Sequence, residues 1–398
     1  MRLFTFLRKV MSSIVFLAVL LMSCSQFASQ LYMPVLPDIA TDLALSSSAS
    51  QAVIVSFFIT LGLTQLIAGP LRDKYGDRQI LIIGQLILVA GTLICGFAES
   101  NWQFLLGRVL QGIGSASPVL ISRTLLAQYL TGAKLKSAMA SLAMAASVTA
   151  ILSPMIAGTL AQLINWQGLS FIMVLHFALV LWLGFVVLPK SEKNAAQSIR
   201  PSALASLYKS LLQDKNLILL ANFKWLPTYL YLTIQLYLPF YLQAQFQFNT
   251  EQIGYAMMLP MAGLLVGSSL AKIMQKRMSY MKIVKLLWPA LPIAAFIFEF
   301  SHISALVMLF AYTLIMMVFG AYFPSYMHII GLLQPEKAGS ANALVGAIEL
   351  LFFTALAWLT NVILFSSQHI LPLIVLTCSI VLWLCWKKLS LNLTLCQR

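Results

Sequence analysis

Charge is what this chain has least of. Only 9% of its 398 residues are Asp, Glu, Lys or Arg, against 60% hydrophobic residues. So little charge cannot clothe a water-soluble globule, which excludes a soluble fold. Acidic residues number 11 and histidines 4. The apolar segments therefore offer no His/Glu metal cluster, no paired Asp and no Ser/His constellation, which argues against a membrane-embedded enzyme. No glycine-rich phosphate-cradling loop is present, which argues against ATP as the energy source. The cysteines (Cys24, Cys95, Cys378, Cys385, Cys396) show no metal-ligand spacing and read as apolar side chains in spans or at the tail. Neither a metal nor an organic cofactor is expected.

What the chain does have is a ladder of apolar runs of about 20 residues, the length that crosses a hydrocarbon core. Roughly twelve can be drawn on that criterion, near 10–33, 48–70, 79–98, 102–126, 137–163, 169–189, 216–243, 252–271, 283–300, 303–331, 340–363 and 369–387. The first looks like a secretory signal, and Leu21-Met22-Ser23-Cys24 resembles a lipoprotein cleavage box. It heads a long series of spans and runs on to Pro34, so it reads as an uncleaved first span.

The basic residues alternate with the spans. Arg72, Lys74, Arg78, Lys134, Lys136, Lys190, Lys193, Arg200, Lys209, Lys272, Lys276, Arg277, Lys282 and Lys337 fall in every second loop, and both termini are basic. The loops between, such as Met33–Ser47, Asn165–Gly168 and Gln245–Glu251, carry no Lys or Arg. This is the positive-inside pattern, and it places both termini in the cytoplasm of a multi-pass inner-membrane protein. The net charge of +14 is a topology signal scattered over short loops, so no nucleic-acid partner is expected. The expected partners are membrane lipid and a small-molecule substrate, with the chain acting as a monomer.

The longest polar stretch lies mid-chain and divides the sequence into a first half at 1–189, a cytoplasmic linker at 190–215 and a second half at 216–398. The stretch Ala203–Leu212 could form a short interfacial helix. Six spans on each side suggest an internally repeated transporter. Gly69 and Asp73 after the second span match Gly267 and Ala271 after the eighth, and Lys272 takes the place of Lys74. The second copy has lost its acidic residue.

Four motifs carry a family likeness. Gly69-Pro70-Leu71-Arg72-Asp73-Lys74-Tyr75-Gly76-Asp77-Arg78 reads as a tight turn between two spans. It resembles the G-x-x-x-D-R/K-x-G-R-R/K loop of the major facilitator superfamily. That resemblance implies a gating element at Gly69, Asp73, Lys74, Gly76 and Arg78, with Asp73 as a latch between halves. Asp77 stands where the family usually has a basic residue. The span that begins at Gly339-Ser340 offers a helix N-terminus as a partner for the latch carboxylate. Leu105 to Ala116 resembles the family's L-x-x-R-x-x-Q-G-x-G-x-A helix. Its Arg108 lies roughly 9 Å inside the span by helical rise. Burying a guanidinium is costly, which marks Arg108 as functional or as a structural clamp on carbonyls. Arg108, Gln111, Ser115 and Ser122 share one helical face.

Ala150 to Gly158 resembles the fifth-helix element of exporters, with Pro154 and Gly158 as bending and packing points. Leu31-Tyr32-Met33-Pro34-Val35-Leu36-Pro37-Asp38 resembles the end of the first helix in the Bcr/CflA-type drug-resistance subfamily. That subfamily commonly has Asp just before the run, where this chain has Gln30, and an amide cannot take up a proton for coupling. Gln30 and Tyr32 remain candidates for substrate contact.

The proton site is then sought elsewhere. Glu349 lies roughly 13 Å past Ser340 by helical rise, and Lys224 lies at similar depth in the seventh span. Lys224, Thr228, Tyr231 and Gln235 form a polar stripe at helical spacing. A Lys224–Glu349 pair is plausible by depth, either for coupling or as a static packing pair. Glu299 lies near the outer end of its span.

These readings imply an all-α membrane protein with twelve transmembrane helices in two pseudo-symmetric six-helix bundles, the major facilitator fold. The expected function is proton-coupled efflux of a small molecule or drug by alternating access, with the proton gradient as driving force. The alternative is an exporter or uptake permease for an anionic metabolite, such as a carboxylate siderophore. Arg108 and Lys224, with Gln30 in place of Asp, would suit an anion.

Overall fold

The computed structural model describes residues 2–188, 201–334, 337–365, 367 and 369–396, with side chains at all of these except 2–13, 136, 201–205, 338 and 393–396. The basic residues Lys190, Lys193 and Arg200 of the linker lie outside the described residues. Among the described residues the chain is helical, joined by short turns. Inside hydrocarbon every backbone N–H and C=O must find its partner within the chain, and a helix does this locally.

The chain divides into two compact units, Met1–Ile199 and Arg200–Arg398. The first holds α1 (Arg2–Gln30), the short α2 (Leu36–Asp42), α3 (Ser47–Tyr75), α4 (Asp77–Gly96), α5 (Asn101–Tyr129) and α6 (Gly132–Val187). The second holds α7 (Pro201–Gln213), α8 (Lys215–Phe246), α9 (Thr250–Met274), α10 (Tyr280–Leu287), α11 (Ala290–Phe298), α12 (Ala305–Leu333), α13 (Ala338–Ile348), a π-helical turn (Glu349–Phe353), α14 (Thr354–Leu364) and α15 (Ile370–Cys396).

Among the described residues ten helical stretches are long and apolar enough to cross a membrane. One of them, α6, is 56 residues long. At 1.5 Å per residue that is roughly 84 Å, nearly three times a hydrocarbon core of about 30 Å. Its backbone breaks at Asn165, where φ is 57° and ψ −179°, so α6 is two crossings joined at a hairpin. With the apolar part of α1, Ile14–Gln30, the count among the described residues is twelve crossings, six in each unit. The linker's second part forms α7, over Pro201–Gln213.

Two expectations change. Gly69 and Pro70 do not make the turn after the second span, because α3 continues through both to Tyr75. The turn is Gly76, with φ 83° and its N–H donating to the Arg72 carbonyl at 2.6 Å. Only glycine adopts that conformation without strain, so the motif's second glycine carries the reversal. The loop after the first span is likewise not wholly irregular. α1 stops at Gln30, and α2 follows with Pro37 in its first turn. Pro34 prevents helix continuation because it lacks an N–H and crowds the preceding residue.

Helix pairs approach where side chains are absent. α4 packs on α5 through Gly91 and Gly107, and through Gly84 and Gly114. A Cβ on Gly107 would sit 2.7 Å from the Gly91 carbonyl oxygen and 2.9 Å from the Cys95 nitrogen. In the second unit α9 packs on α12 through Gly263, Gly267 and Gly320. Small residues serve this purpose in membranes, where apolar burial gives no advantage over lipid and close backbone contact supplies the attraction.

Candidate functional site

The first unit places Arg108 at its centre. The side chain projects from α5 and is fully buried. Its Nη1 donates to the Ala28 carbonyl of α1 at 2.7 Å and to Gln111 Oε1 at 2.8 Å. Gln111 passes the chain on, its Nε2 donating to Thr92 Oγ1 of α4 at 2.8 Å. Two aromatic faces flank the guanidinium, Phe57 at 4.5 Å and Tyr32 at 5.2 Å from ring centre. Such a contact contributes about 2 kcal/mol when desolvated. Among the described residues no carboxylate pairs with Arg108.

Tyr32 extends the cluster towards the α1–α2 corner. Its hydroxyl lies 2.6 Å from Ser170 Oγ, which donates to the Trp166 carbonyl at 3.0 Å. Trp166 Nε1 donates to Asp42 Oδ2 at 2.8 Å. The Phe104 ring meets the Tyr32 and Trp166 rings edge to face, each at 5.3 Å. Gln30, close to Tyr32 in the chain, is buried. The sequence singles out Gln30, Tyr32, Arg108 and Gln111, and Tyr32, Arg108 and Gln111 meet here. It does not single out Thr92 or Asp42. A lone Thr in an apolar run carries no periodic signal.

The loop between α3 and α4 assigns its two acids different tasks. Asp73 has a half-exposed side chain, 3.4 Å from Arg72 Nη1. Asp77 opens α4, and its Oδ1 accepts from Arg72 Nε at 2.7 Å while its Oδ2 accepts from Gln128 Nε2 at 2.7 Å. Asp77 is thus the acid that ties α3, α4 and α5 together, at a helix N-terminus that favours negative charge. The sequence alone marks it only as a departure from the family loop. Arg78 Nη2 donates to the Phe185 carbonyl at 2.9 Å, and its guanidinium covers the Phe185 ring. Lys74 lies over the neighbouring Tyr75 ring at 5.1 Å. We expect Asp77→Asn to lower thermal stability by about 1 kcal/mol, the worth of a charge-assisted hydrogen bond in a partly exposed site. Asp73→Asn should leave stability unchanged and alter transport. Equal melting curves for Asp77→Asn and native protein would contradict this division. Pro154 and Gly158 lie in the first crossing of α6, both buried together with Ser153 and Ala157.

The second unit holds an ion pair between a buried carboxylate and a largely buried ammonium. Lys224 Nζ of α8 lies 2.6 Å from Glu349 Oε2. Thr228 Oγ1, one turn along α8, donates to Glu349 Oε1 at 2.5 Å. Both carboxylate oxygens therefore have partners. Glu349 is the one buried acidic side chain among the described residues. It opens the π-helical turn, where the Thr354 N–H reaches back to the Glu349 carbonyl. Such turns insert one residue into a helix, and they recur at functional sites. Trp225 braces the turn from α8. Its Nε1 donates to the Val345 carbonyl at 2.9 Å, and its ring stacks on Phe353 at 5.4 Å. Gly346 leaves room beside the ammonium, since a Cβ there would meet Lys224 Nζ at an ordinary 3.6 Å.

The rest of the α8 stripe turns to a different neighbour. Tyr312 of α12 donates from its hydroxyl to Gln235 Oε1 at 2.9 Å, and the same hydroxyl oxygen lies 3.3 Å from the Tyr231 carbonyl. The stripe therefore divides: Lys224 and Thr228 meet Glu349, Gln235 meets Tyr312, and the Tyr231 ring lies against Phe319. Glu299 lies apart from both, partly exposed and 3.9 Å from His369.

Residues 18–385 match the family described as Major Facilitator Superfamily. The chain belongs to the Major Facilitator Superfamily. It is a multi-pass membrane transporter and not an enzyme. Along 96% of its length it is 24% identical to multidrug resistance protein D of Escherichia coli K12, covering 97% of that protein. Over 168 residues, 42% of each chain, it is 26% identical to the bicyclomycin resistance protein homolog of Haemophilus influenzae. Its fold matches the crystal structure of the D-xylose-proton symporter with a TM-score of 0.75 at 14% identity, covering 93% of this chain and 97% of that one. The major facilitator fold expected from the motifs is the fold present.

Proposed function

We propose that this chain is a proton-driven exporter of small molecules, working by alternating access in the inner membrane with both termini cytoplasmic. The carrying observation is the Lys224–Glu349 pair. An acid and a base face each other in the spans, and the carboxylate opens an irregular turn. While Glu349 is ionised, the ammonium holds α8 against the π-helical turn. A proton on Glu349 removes that attraction and changes the balance between conformations. Gln30 cannot serve instead, because an amide does not titrate.

Export is favoured by the resistance-protein names of the relatives and by the Pro154–Gly158 element. The basic loops support the orientation. Asp73, with Gly69, Lys74, Gly76 and Arg78, is assigned the gating role that the family loop implies. Its exposed carboxylate supports this, being little engaged in its own unit.

A second reading, transport of an anionic metabolite such as a carboxylate siderophore, is favoured by one observation: Arg108 is a buried cation with no acidic partner among the described residues. Purified protein in proteoliposomes under an imposed pH gradient decides between them. Cationic drugs moving against proton flow support export by antiport, and carboxylates moving with it support the second reading. No gradient-driven movement of either class would overturn both.

A further inference from the structure

We infer that the Nε–Nη2 edge of Arg108 is a receptor for a carboxylate group of the transported molecule. The inference rests on the second reading above, transport of an anionic metabolite, and names the atoms that would hold the anion. A guanidinium has five N–H bonds. The two on Nη1 are taken by the Ala28 carbonyl and Gln111 Oε1. Nε and Nη2 are buried and have no hydrogen-bond partner. Covalent geometry puts the Nε–H and one Nη2–H parallel along one edge of the guanidinium, the fork that a carboxylate accepts with two oxygens. The unmet donors are thus the matched pair for a planar anion.

The surroundings fix that edge. Nη1 is anchored on α1 and on Gln111, and Gln111 is anchored on Thr92. The Phe57 and Tyr32 faces restrict tilt of the guanidinium plane. Leaving charged donors unmet in a buried site is costly, and buried polar groups otherwise find partners. The preorganised edge recovers that cost when an anion arrives. In this conformation the edge is closed to solvent, so a carboxylate reaches it in a state that parts the surrounding helices.

The test is thermal unfolding of the detergent-purified transporter, with no gradient. The probes are benzoate, succinate and citrate, each against its neutral amide, with chloride as a simple-anion arm. The expected result is that at least one carboxylate raises the midpoint saturably while its amide and chloride do not. Arg108→Lys, which keeps the charge and loses the fork, weakens the apparent Kd at least roughly tenfold. The exposed-charge variant Lys134→Ala binds as the native protein does. Arg108→Ala removes the shift, and Arg108→Lys alone decides the matter if the alanine variant does not fold. The inference is overturned if no carboxylate exceeds its amide, if chloride matches the carboxylates, or if Arg108→Lys binds with native affinity. Carboxylate binding without gradient-driven carboxylate movement would leave the edge assigned as an anion site and the anionic-metabolite reading lost. Drug export without carboxylate binding would overturn the edge and leave the export reading standing.

Discussion

Lys224→Met lowers the unfolding free energy by about 3–5 kcal/mol, and adding Glu349→Gln restores most of it. Removing the ammonium leaves Glu349 as an uncompensated carboxylate in a low-dielectric site, with Thr228 as its remaining partner. Met keeps much of the length of the lysine stem, so the loss reads as charge and not as volume. The double variant has neither charge, and the amide that replaces the carboxylate can still accept from Thr228. Titration into SDS, followed by far-UV circular dichroism, measures each variant. A double variant whose loss equals the sum of the single losses would show that the two side chains do not act as a pair.

The location of this pair was legible in the sequence and its surroundings were not. Helical rise is fixed, so Lys224 and Glu349 could be placed at one depth from nothing but their distance to the span ends. Arg108 was legible for a related reason: a guanidinium inside an apolar run stands out by its cost. The spans were visible as apolar runs, and the junction drawn between 137–163 and 169–189 is where the positive φ of Asn165 breaks α6 into a hairpin. The partners of these charges were harder to read. Thr92, the carbonyl of Ala28 and Tyr312 meet their partners across helix contacts whose rotation and register depend on packing. Polar residues that lie singly in an apolar run give no periodicity by which to aim them. The π-helical turn at Glu349 is braced by Trp225, whose acceptor Val345 lies 120 residues further along the chain and is equally unannounced. The α3–α4 loop reads one step wrong because Gly-Pro is a strong turn signal in water. Here Pro70 is absorbed inside α3, and Gly76 makes the reversal.

Glu349→Gln abolishes accumulation on a pH gradient while preserving exchange of substrate at equilibrium. Exchange needs only a carrier that reorients with substrate bound. Accumulation needs a group whose proton occupancy differs between the two faces. With glutamine in place of Glu349 that group is lost, since an amide does not titrate, whereas binding contacts elsewhere persist. The amide can also still hydrogen-bond Thr228, so the helices stay in register. Counterflow of labelled substrate at equal pH should therefore match native protein, and pH-driven uptake should fall to the level of empty liposomes. A variant that still concentrates substrate on a pH gradient assigns Glu349 to packing and moves the proton route elsewhere.

The most direct test of the account is proton exchange on substrate binding, with no membrane and no gradient. The substrate identified in proteoliposomes is added to detergent-purified protein in weakly buffered solution, and the pH change is followed with an indicator dye. Linkage requires that a ligand which competes with the proton expels it and that one which cooperates with the proton draws it in. A cationic substrate should release protons and a carboxylate should take them up. In either case Glu349→Gln should bind the substrate with no proton change. An unaltered proton signal in Glu349→Gln would contradict the assignment of the Lys224–Glu349 pair as the coupling site.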